Sequence, residues 1–258
     1  MSRIRRFAGI ARSIAMYHGV PFRTRRLARL YAPYLRPGSL AFDIGAHAGN
    51  RVRVFRRLGA RVVAVEPQPD FVRVLATLYG ANPGVAIVAS AVGRAPGEAT
   101  LLASERTPTV TTLSAEWAAK VATDPTFRGV TWTPGPRVPV TTLDALIDSH
   151  GVPDFLKLDI EGYEAEALAG LSRPVRALSF EYIPAARDVA LASLDRLAAL
   201  GHYEFNWSIG ETDHSENISV FSIGGAVREP YMSRFKTLVS QCNNRGIIVD
   251  DADPYCAR

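Results

Sequence analysis

The chain has 258 residues, 47% apolar and 21% charged. That is enough for one large α/β domain and excludes a disordered or fibrous protein. No apolar run approaches the roughly 18 residues of a spanning helix, so a soluble, cytoplasmic protein is expected. The two cysteines, Cys242 and Cys256, are too few and too close together to supply a disulfide framework or a CxxC metal cluster. The formal net charge of +5 is unevenly spread. Residues 1 to 42 hold nine Arg and no acid, whereas the rest holds 21 basic and 25 acidic side chains, a balance of −4.

In residues 4 to 18, Ile4, Phe7, Ile10, Ile14 and Tyr17 recur at helical spacing with Arg between them, the pattern of a short basic amphipathic helix. Arg12 interrupts the apolar stretch, which is not how a secretory signal reads. A second helical pattern, Leu27, Leu30, Tyr31, Tyr34 and Leu35, ends at Pro37-Gly38. Residues 1–36 are therefore taken as a basic helical leader and 37–258 as the main domain. Two uses of the leader fit: contact with an anionic membrane surface or a protein through residues 1–20, or a cap that docks its apolar stripe on the domain.

From Ser39 onward short apolar runs alternate with helical patterns, which predicts a mostly parallel sheet with crossover helices. The expected strands are Leu40 to Ile44, Arg61 to Val65, Val85 to Ser90, Phe155 to Leu158, Ala177 to Phe180, Tyr203 to Trp207 and Ile218 to Ile223. Helices are expected at Arg51 to Leu58, Phe71 to Tyr79, Glu164 to Leu168 and Asp188 to Leu200. Residues 94–139, broken by Pro96, Pro108, Pro125, Pro134 and Pro136, read as an inserted hairpin or lid.

The first strand leads into Asp43-Ile-Gly45-Ala46-His47-Ala48-Gly49-Asn50 and then at once into a helix. Two glycines permit a tight turn and close approach of a ligand to backbone, and a helix N-terminus offers unpaired N–H groups. Glu66 follows the second strand, where a carboxylate in a doubly wound fold accepts ribose hydroxyls. A nicotinamide dinucleotide and S-adenosylmethionine (SAM) would both use it. The turn reads DxGxxxG rather than GxGxxG, and Asp43 would repel a pyrophosphate but attract an ammonium group, which favours SAM. His47 is assigned no role.

Phe42-Asp-Ile-Gly-Ala-His-Ala-Gly49, Val65-Glu-Pro-Gln-Pro69, Ala91-Val-Gly93, Val140-Thr-Thr-Leu-Asp144 and Leu156-Lys-Leu-Asp-Ile-Glu-Gly-Tyr-Glu164 together resemble the FkbM-like SAM-dependent methyltransferases. The resemblance runs over residues 37 to 225. It implies a class I methyltransferase (Rossmann-like) α/β fold, a doubly wound seven-stranded sheet with the last strand antiparallel, SAM as donor, and methylation of a hydroxyl. The cofactor positions so implied are Asp43, Gly45, Ala46, Gly49, Asn50, Glu66, Pro67, Ser90 and Ala91. His47 stands where many members carry Asn.

Ligands in open α/β sheets bind beyond the carboxyl ends of the strands. The fourth and fifth expected strands deliver Asp159, Glu161 and Glu181 there, the candidate catalytic residues: Asp159 or Glu161 as the base for an acceptor hydroxyl, Glu181 as its positioner. A variant has Asp159 and Glu181 hold Mg²⁺, although no metal site is favoured. Glu164 is read as a first-turn acid that favours the helix dipole, and Lys157 is expected to point off the strand without chemistry. Trp117, Trp132, Tyr163 and Tyr182 would either pack or wall an acceptor pocket. The position after Leu158 lacks the (D/N/S)PP(Y/F/W) of base methyltransferases, so a small molecule or glycan is the expected acceptor and no nucleic acid. Rival readings are a NAD(P)-dependent oxidoreductase and a non-catalytic SAM-binding partner subunit. Deleting residues 1–20 should leave calorimetric SAM binding intact; loss of binding would make the leader part of the cofactor site.

Overall fold

The computed structural model describes residues 23–104, 107–201, 203–209 and 218–224. The basic helical pattern of residues 4 to 18, and the chain from 225 onward with both cysteines, lie outside the described residues. Chain order runs α1 (Arg23–Tyr31), β1 (Leu40–Ile44), α2 (Asn50–Arg57), β2 (Arg61–Val65), α3 (Pro69–Tyr79), β3 (Val85–Val88), β4 (Ala91–Val92) and β5 (Gly97–Ala103). It continues with α4 (Ala115–Val121), β6 (Thr133–Thr141), α5 (Leu143–His150), β7 (Phe155–Leu158), α6 (Glu164–Ala169), β8 (Ala177–Tyr182), α7 (Arg187–Leu200), β9 (Tyr203–Ile209) and β10 (Ile218–Gly224).

The main sheet has the order β3-β2-β1-β7-β8-β10-β9. Strands β3, β2, β1, β7 and β8 pair in parallel, and β10 is antiparallel to both β8 and β9. The chain winds outward from β1 to β3 and then returns to lay β7 against the other edge of β1. The crevice between the carboxyl ends of β1 and β7 is therefore the switch point where α/β sheets bind ligands.

Both faces of the sheet are covered, as a parallel sheet requires. Phe42, Ile44, Leu156, Leu158, Leu178 and Phe180 pack on one side with Leu143, Leu146, Leu168 and Leu194 of the helices. Ala41, Val62, Ala64 and Phe155 pack on the other with Leu27, Tyr31, Phe55 and Leu75. Alternation along the strands puts Asp43 and Lys157 on this second side, in register with each other.

The second leader pattern is shorter as a helix than its periodicity suggested, ending at Tyr31 and followed by a turn. It docks as a cap. Tyr31 meets Phe55 and Phe155 edge-on, with ring centroids 5.0 and 5.3 Å away.

Residues 94–139 contain β5, α4 and most of β6, in a small sheet of order β4-β6-β5. β5 and β6 are antiparallel, as in a hairpin. Pro134 and Pro136 are tolerated because β4 flanks β6 only at Val140 and Thr141, leaving that earlier stretch with one partner strand. Helix α5 was not expected, although Thr142 caps it by accepting from the Ala145 N–H and Leu143, Leu146 and Ile147 are buried at helical spacing. The third strand stops at Val88 instead of Ser90, because Ser90 Oγ turns to the carbonyls of Ala91 and Pro139 in the small sheet. Among the described residues no helix is long and apolar enough to cross a membrane.

Phe155→Ala should cost about 3 to 5 kcal/mol of stability, the usual range for emptying a buried aromatic site. Thermal unfolding measures it, and a loss below about 1 kcal/mol would show that the leader cap does not rest on Phe155.

Candidate active site

The turn after β1 is built on close approach. Gly45 has φ 82° and Gly49 φ 80°, a region costly for other residues. A Cβ at Gly45 would lie 1.9 Å from the Asp159 carbonyl oxygen. One at Gly49 would lie 2.5 Å from Tyr79 Cε2, and the Tyr79 hydroxyl donates to the Gly49 carbonyl. The turn's amides are more committed than the sequence suggested. Gly45 and Ala46 both donate to the Val65 carbonyl, Gly49 donates to Ala46, and His47 N–H donates to Glu66 Oε2 at 2.8 Å. Glu66 Oε1 accepts from Gln68 N–H, also at 2.8 Å. The carboxylate is thereby clamped at the end of β2 with a lone pair left on each oxygen. Pro67 lies in this Glu66 to Gln68 turn, half-buried. His47 stacks on Phe71 with ring centroids 3.6 Å apart, and burial pushes its pKa down to about 3.

Asp43 is fully buried, and neither carboxylate oxygen has a hydrogen-bond partner. Burial pushes its pKa from the ordinary 3.8 to about 6, against the pull of Lys157 and Arg51. Asn50 Nδ2, also buried, lacks a partner too. Orphaned polar atoms on β1 and at the head of α2, with a clamped carboxylate at the end of β2, suit a nucleoside with an amino-acid arm, so these residues fit SAM. Ser90 and Ala91 follow β3, with Ala91 opening the small sheet and the Ser90 hydroxyl engaged by the Ala91 and Pro139 carbonyls.

Lys157 does not point off its strand into solvent. It is 6% exposed, and its Nζ donates to Asp159 Oδ2 at 2.8 Å and lies 3.8 Å from Asp43 Oδ1. A lysine in a parallel strand buried on both faces must find acids, and the β1–β7 register supplies Asp43. Arg51 reaches the same region from α2, donating to the Tyr31 hydroxyl.

Asp159, Glu161 and Glu181 do converge. With Trp117, Gly162, Glu164, Tyr182, Ile183, Ala186 and Val189 they line one pocket at the ends of β7 and β8. Burial acts to raise Asp159, but Lys157, a hydrogen bond with Glu181 and Arg51 outweigh it and hold its pKa at about 2. Glu161 and Glu181 are pushed well above the carboxylate range by burial and by the negative charge of Asp159. Two neighbouring carboxyls with pKa values forced apart share a proton in this way. Glu161 adopts φ 54°.

Glu164 is the first residue of α6, but the dipole reading misses its contacts. It is 1% exposed, Oε1 accepts from Ile160 N–H at 3.0 Å, and Oε2 has no partner. Burial raises its pKa to about 7.

The insertion roofs this pocket. Trp117 lies so close on Gly162 that a Cβ there would be 2.0 Å from its ring. Thr112 Oγ1 donates to the Glu161 carbonyl at 2.7 Å, and Gln68 Nε2 donates to the Pro108 carbonyl. Tyr182 lines the pocket, whereas Trp132 packs behind Trp117 and Phe127 and Tyr163 sits by Gly93. Among the described residues, no group of three or more His, Cys, Asp or Glu is placed to hold a metal ion.

The sequence model of the methyltransferase FkbM domain family matches residues 43–218. Among solved structures, the chain is 12% identical to precorrin-6y C5,15-methyltransferase from Geobacter metallireducens, over 78% of this chain and 88% of that one, with a TM-score of 0.43. It is 12% identical to a SAM-dependent O-methyltransferase from Thermotoga maritima (81% and 67% covered, TM-score 0.41). It is 10% identical to fibrillarin from Aeropyrum pernix, solved with SAM (77% and 74% covered, TM-score 0.45). Curated protein sequences give no match.

Three buried carboxyls, Asp43, Glu66 and Glu164, are raised to about 6, 7 and 7. Between their ordinary and raised values the folded state binds more protons than the unfolded one, so stability falls as pH rises from about 4 to 7. The ligand-free protein should therefore melt several degrees lower at pH 8 than at pH 5, with a smaller difference in Asp43→Asn. A melting temperature that climbs over this range would contradict the assignment.

Proposed function

Because the chain belongs to the FkbM methyltransferase family and is a SAM-dependent methyltransferase, we propose that it is an O-methyltransferase acting on a hydroxyl of a small molecule or glycan. The observation that carries this is the Asp159 carboxylate, paired with Lys157 at 2.8 Å in a pocket whose other acids, Glu161 and Glu181, are pushed upward by burial. A hydroxyl is a poor nucleophile at neutral pH, so its proton needs an acceptor.

When bound, SAM supplies an electrophilic methyl group on a sulfonium. Clamped by backbone amides, Glu66 accepts ribose hydroxyls with its remaining lone pairs, and Asp43 and Asn50 offer polar atoms to the amino-acid arm. Gly45, Ala46 and Gly49 set the turn beside which the cofactor lies, and Pro67, Ser90 and Ala91 are its proposed neighbours on the nucleoside side. Asp159 takes the proton of the acceptor hydroxyl. Burial and the charge of Asp159 push Glu161 upward, which favours Asp159 over Glu161 as the base. Glu181, hydrogen-bonded to Asp159, fixes the carboxylate's orientation. Aligning the reactants supplies about 7 to 11 kcal/mol of barrier lowering, and a positioned base about 10² to 10⁴ in rate.

Trp117 and Tyr182 give the pocket aromatic surface suited to the apolar face of a sugar or a ring. Among the described residues no Lys or Arg lines the pocket, so it offers no positive charge to a phosphate backbone and no nucleic acid is expected there. The 94–139 insertion acts as the lid of a domain spanning 37–258, and the basic pattern of residues 1–20 suits a membrane or protein contact.

Asp159→Asn should lower turnover at least a hundredfold. SAM binding should persist, weakened about tenfold at most by loss of the carboxylate's charge, because the nucleoside contacts are untouched. Transfer of a carbon-13 methyl from labelled SAM to a panel of hydroxyl-bearing metabolites and glycans, read by NMR as an ether methyl, tests it. Full turnover by the variant would remove Asp159 as base, and an N-methyl product would overturn the acceptor class.

A further inference from the structure

We propose that Lys157 is a positioning residue that offsets the field of Asp43 and Asp159 on the donor's sulfonium, and so limits the site's preference for the charged donor over the neutral product. The proposal rests on the SAM-dependent activity but not on the identity of the acceptor. In transfer the S–CH₃ bond breaks, its electron pair stays on sulfur, and the methyl forms a bond to the acceptor, whose proton leaves to a base. Sulfur thereby loses its positive charge and SAM becomes S-adenosylhomocysteine (SAH). The two molecules otherwise share the same ammonium, carboxylate and nucleoside. A protein charge near the sulfur therefore changes the ratio of their affinities, whereas a packing defect changes both together.

The geometry puts Lys157 under the cofactor turn. It is the register partner of Asp43, which stands two residues before Gly45, and Gly45 has backbone contact with Asp159. Its Nζ lies 2.8 Å from one of these carboxylates and 3.8 Å from the other. Around it stand Asp43 from β1, His47 from the turn, Arg51 from α2 with Tyr31 of α1 bonded to it, Asp159 at the end of β7, and Glu181 from β8. Glu161 and Glu164 stand just beyond Asp159. Without the ammonium, Asp43 and Asp159 would make this end of the sheet strongly attractive to a sulfonium. That attraction would be wasted, because a positive charge that vanishes on transfer is held more tightly in the ground state than in the transition state. Lys157 keeps Asp159 ionised for the hydroxyl proton while cancelling the part of its field that would hold the donor back.

The experiment is calorimetric titration of SAM and SAH, from pH 6 to 8.5, into the full chain and its variants. In Lys157→Met the ratio Kd(SAH)/Kd(SAM) should rise about tenfold at pH 8.5, as expected for removing one unit charge near a cation in a largely screened site. The excess should shrink towards pH 6, as the carboxyls that lost their cation take up protons. Lys157→Arg should keep the wild-type ratio, and Asp43→Asn should lower it. The double variant Asp43→Asn/Lys157→Met, which removes the pair without stranding a charge, should fold even if the single variant does not and should return the ratio towards wild type. Affinities in Lys157→Met that fall together with the ratio unchanged, or a double variant whose ratio stays as high as in Lys157→Met, would overturn the proposal alone. Binding of neither ligand by the wild-type protein would overturn the SAM reading and the proposal with it.

Discussion

Where β1 and β7 meet, the chain buries an ammonium group between two carboxylates, Lys157 with Asp43 and Asp159. Such a group gives little net stability, because desolvating the charges costs about as much as their attraction returns. What it gives is register. Sliding β7 by one residue against β1 would put Lys157 among the aliphatic side chains of the opposite face and leave Asp43 without its cation. The pair thus ties strand alignment to the electrostatics of the cleft, since the same alignment brings Asp43, Gly45 and Asp159 to one end of the sheet.

From that seam the site is assembled by backbone contact. Gly45 lets the cofactor turn lie against the Asp159 carbonyl, and Gly162 lets Trp117 of the insertion lie against the acidic loop. Neither contact tolerates a Cβ without displacement of its neighbour. Thr112 then fastens the insertion to Glu161, and Gln68 fastens it to the residue pair beside Glu66. The insertion is therefore bonded to both halves of the cleft, and its aromatic cluster of Trp117, Phe127 and Trp132 rests on the end of β8 through Ile183 and Ala186.

Much of this was legible in the residues. The bounds of β1, β2 and β7 follow from four- and five-residue apolar runs between turn residues, and the glycine turn and strand-end acids from their place after those runs. Lys157 was misread because the apolar run around it was taken as the strand and the lysine as its exception. In a strand buried on both faces there is no solvent side for the exception to use. Helix α5 is obscured by its neighbours, not its own pattern, since Leu143, Leu146 and Ile147 follow a proline-rich stretch that signals irregular structure. The protonation states of the acids were not legible at all. Asp159 and Glu181 are both carboxyls at strand ends; Lys157, the Glu181 hydrogen bond and Arg51 draw Asp159 down, while burial and the charge of Asp159 push Glu181 up.

The same protonation states revise the meaning of the charge count. A formal −4 for residues 43–258 assumes that every acid is ionised, whereas Asp43, Glu66, Glu161, Glu164 and Glu181 are all raised by burial. The cleft is less negative than its composition, and the anion it does keep is matched to the charge changes of the proposed reaction. Before transfer the site would hold a sulfonium and an ionised Asp159; afterwards it would hold a neutral sulfur and a protonated Asp159. The sum of charge in the pocket is the same on both sides of the step. A buried site can therefore run the reaction without drawing counter-ions or water inward, provided that one carboxylate is ionised at the start and its neighbours are not. The lysine at the β1–β7 seam imposes that asymmetry.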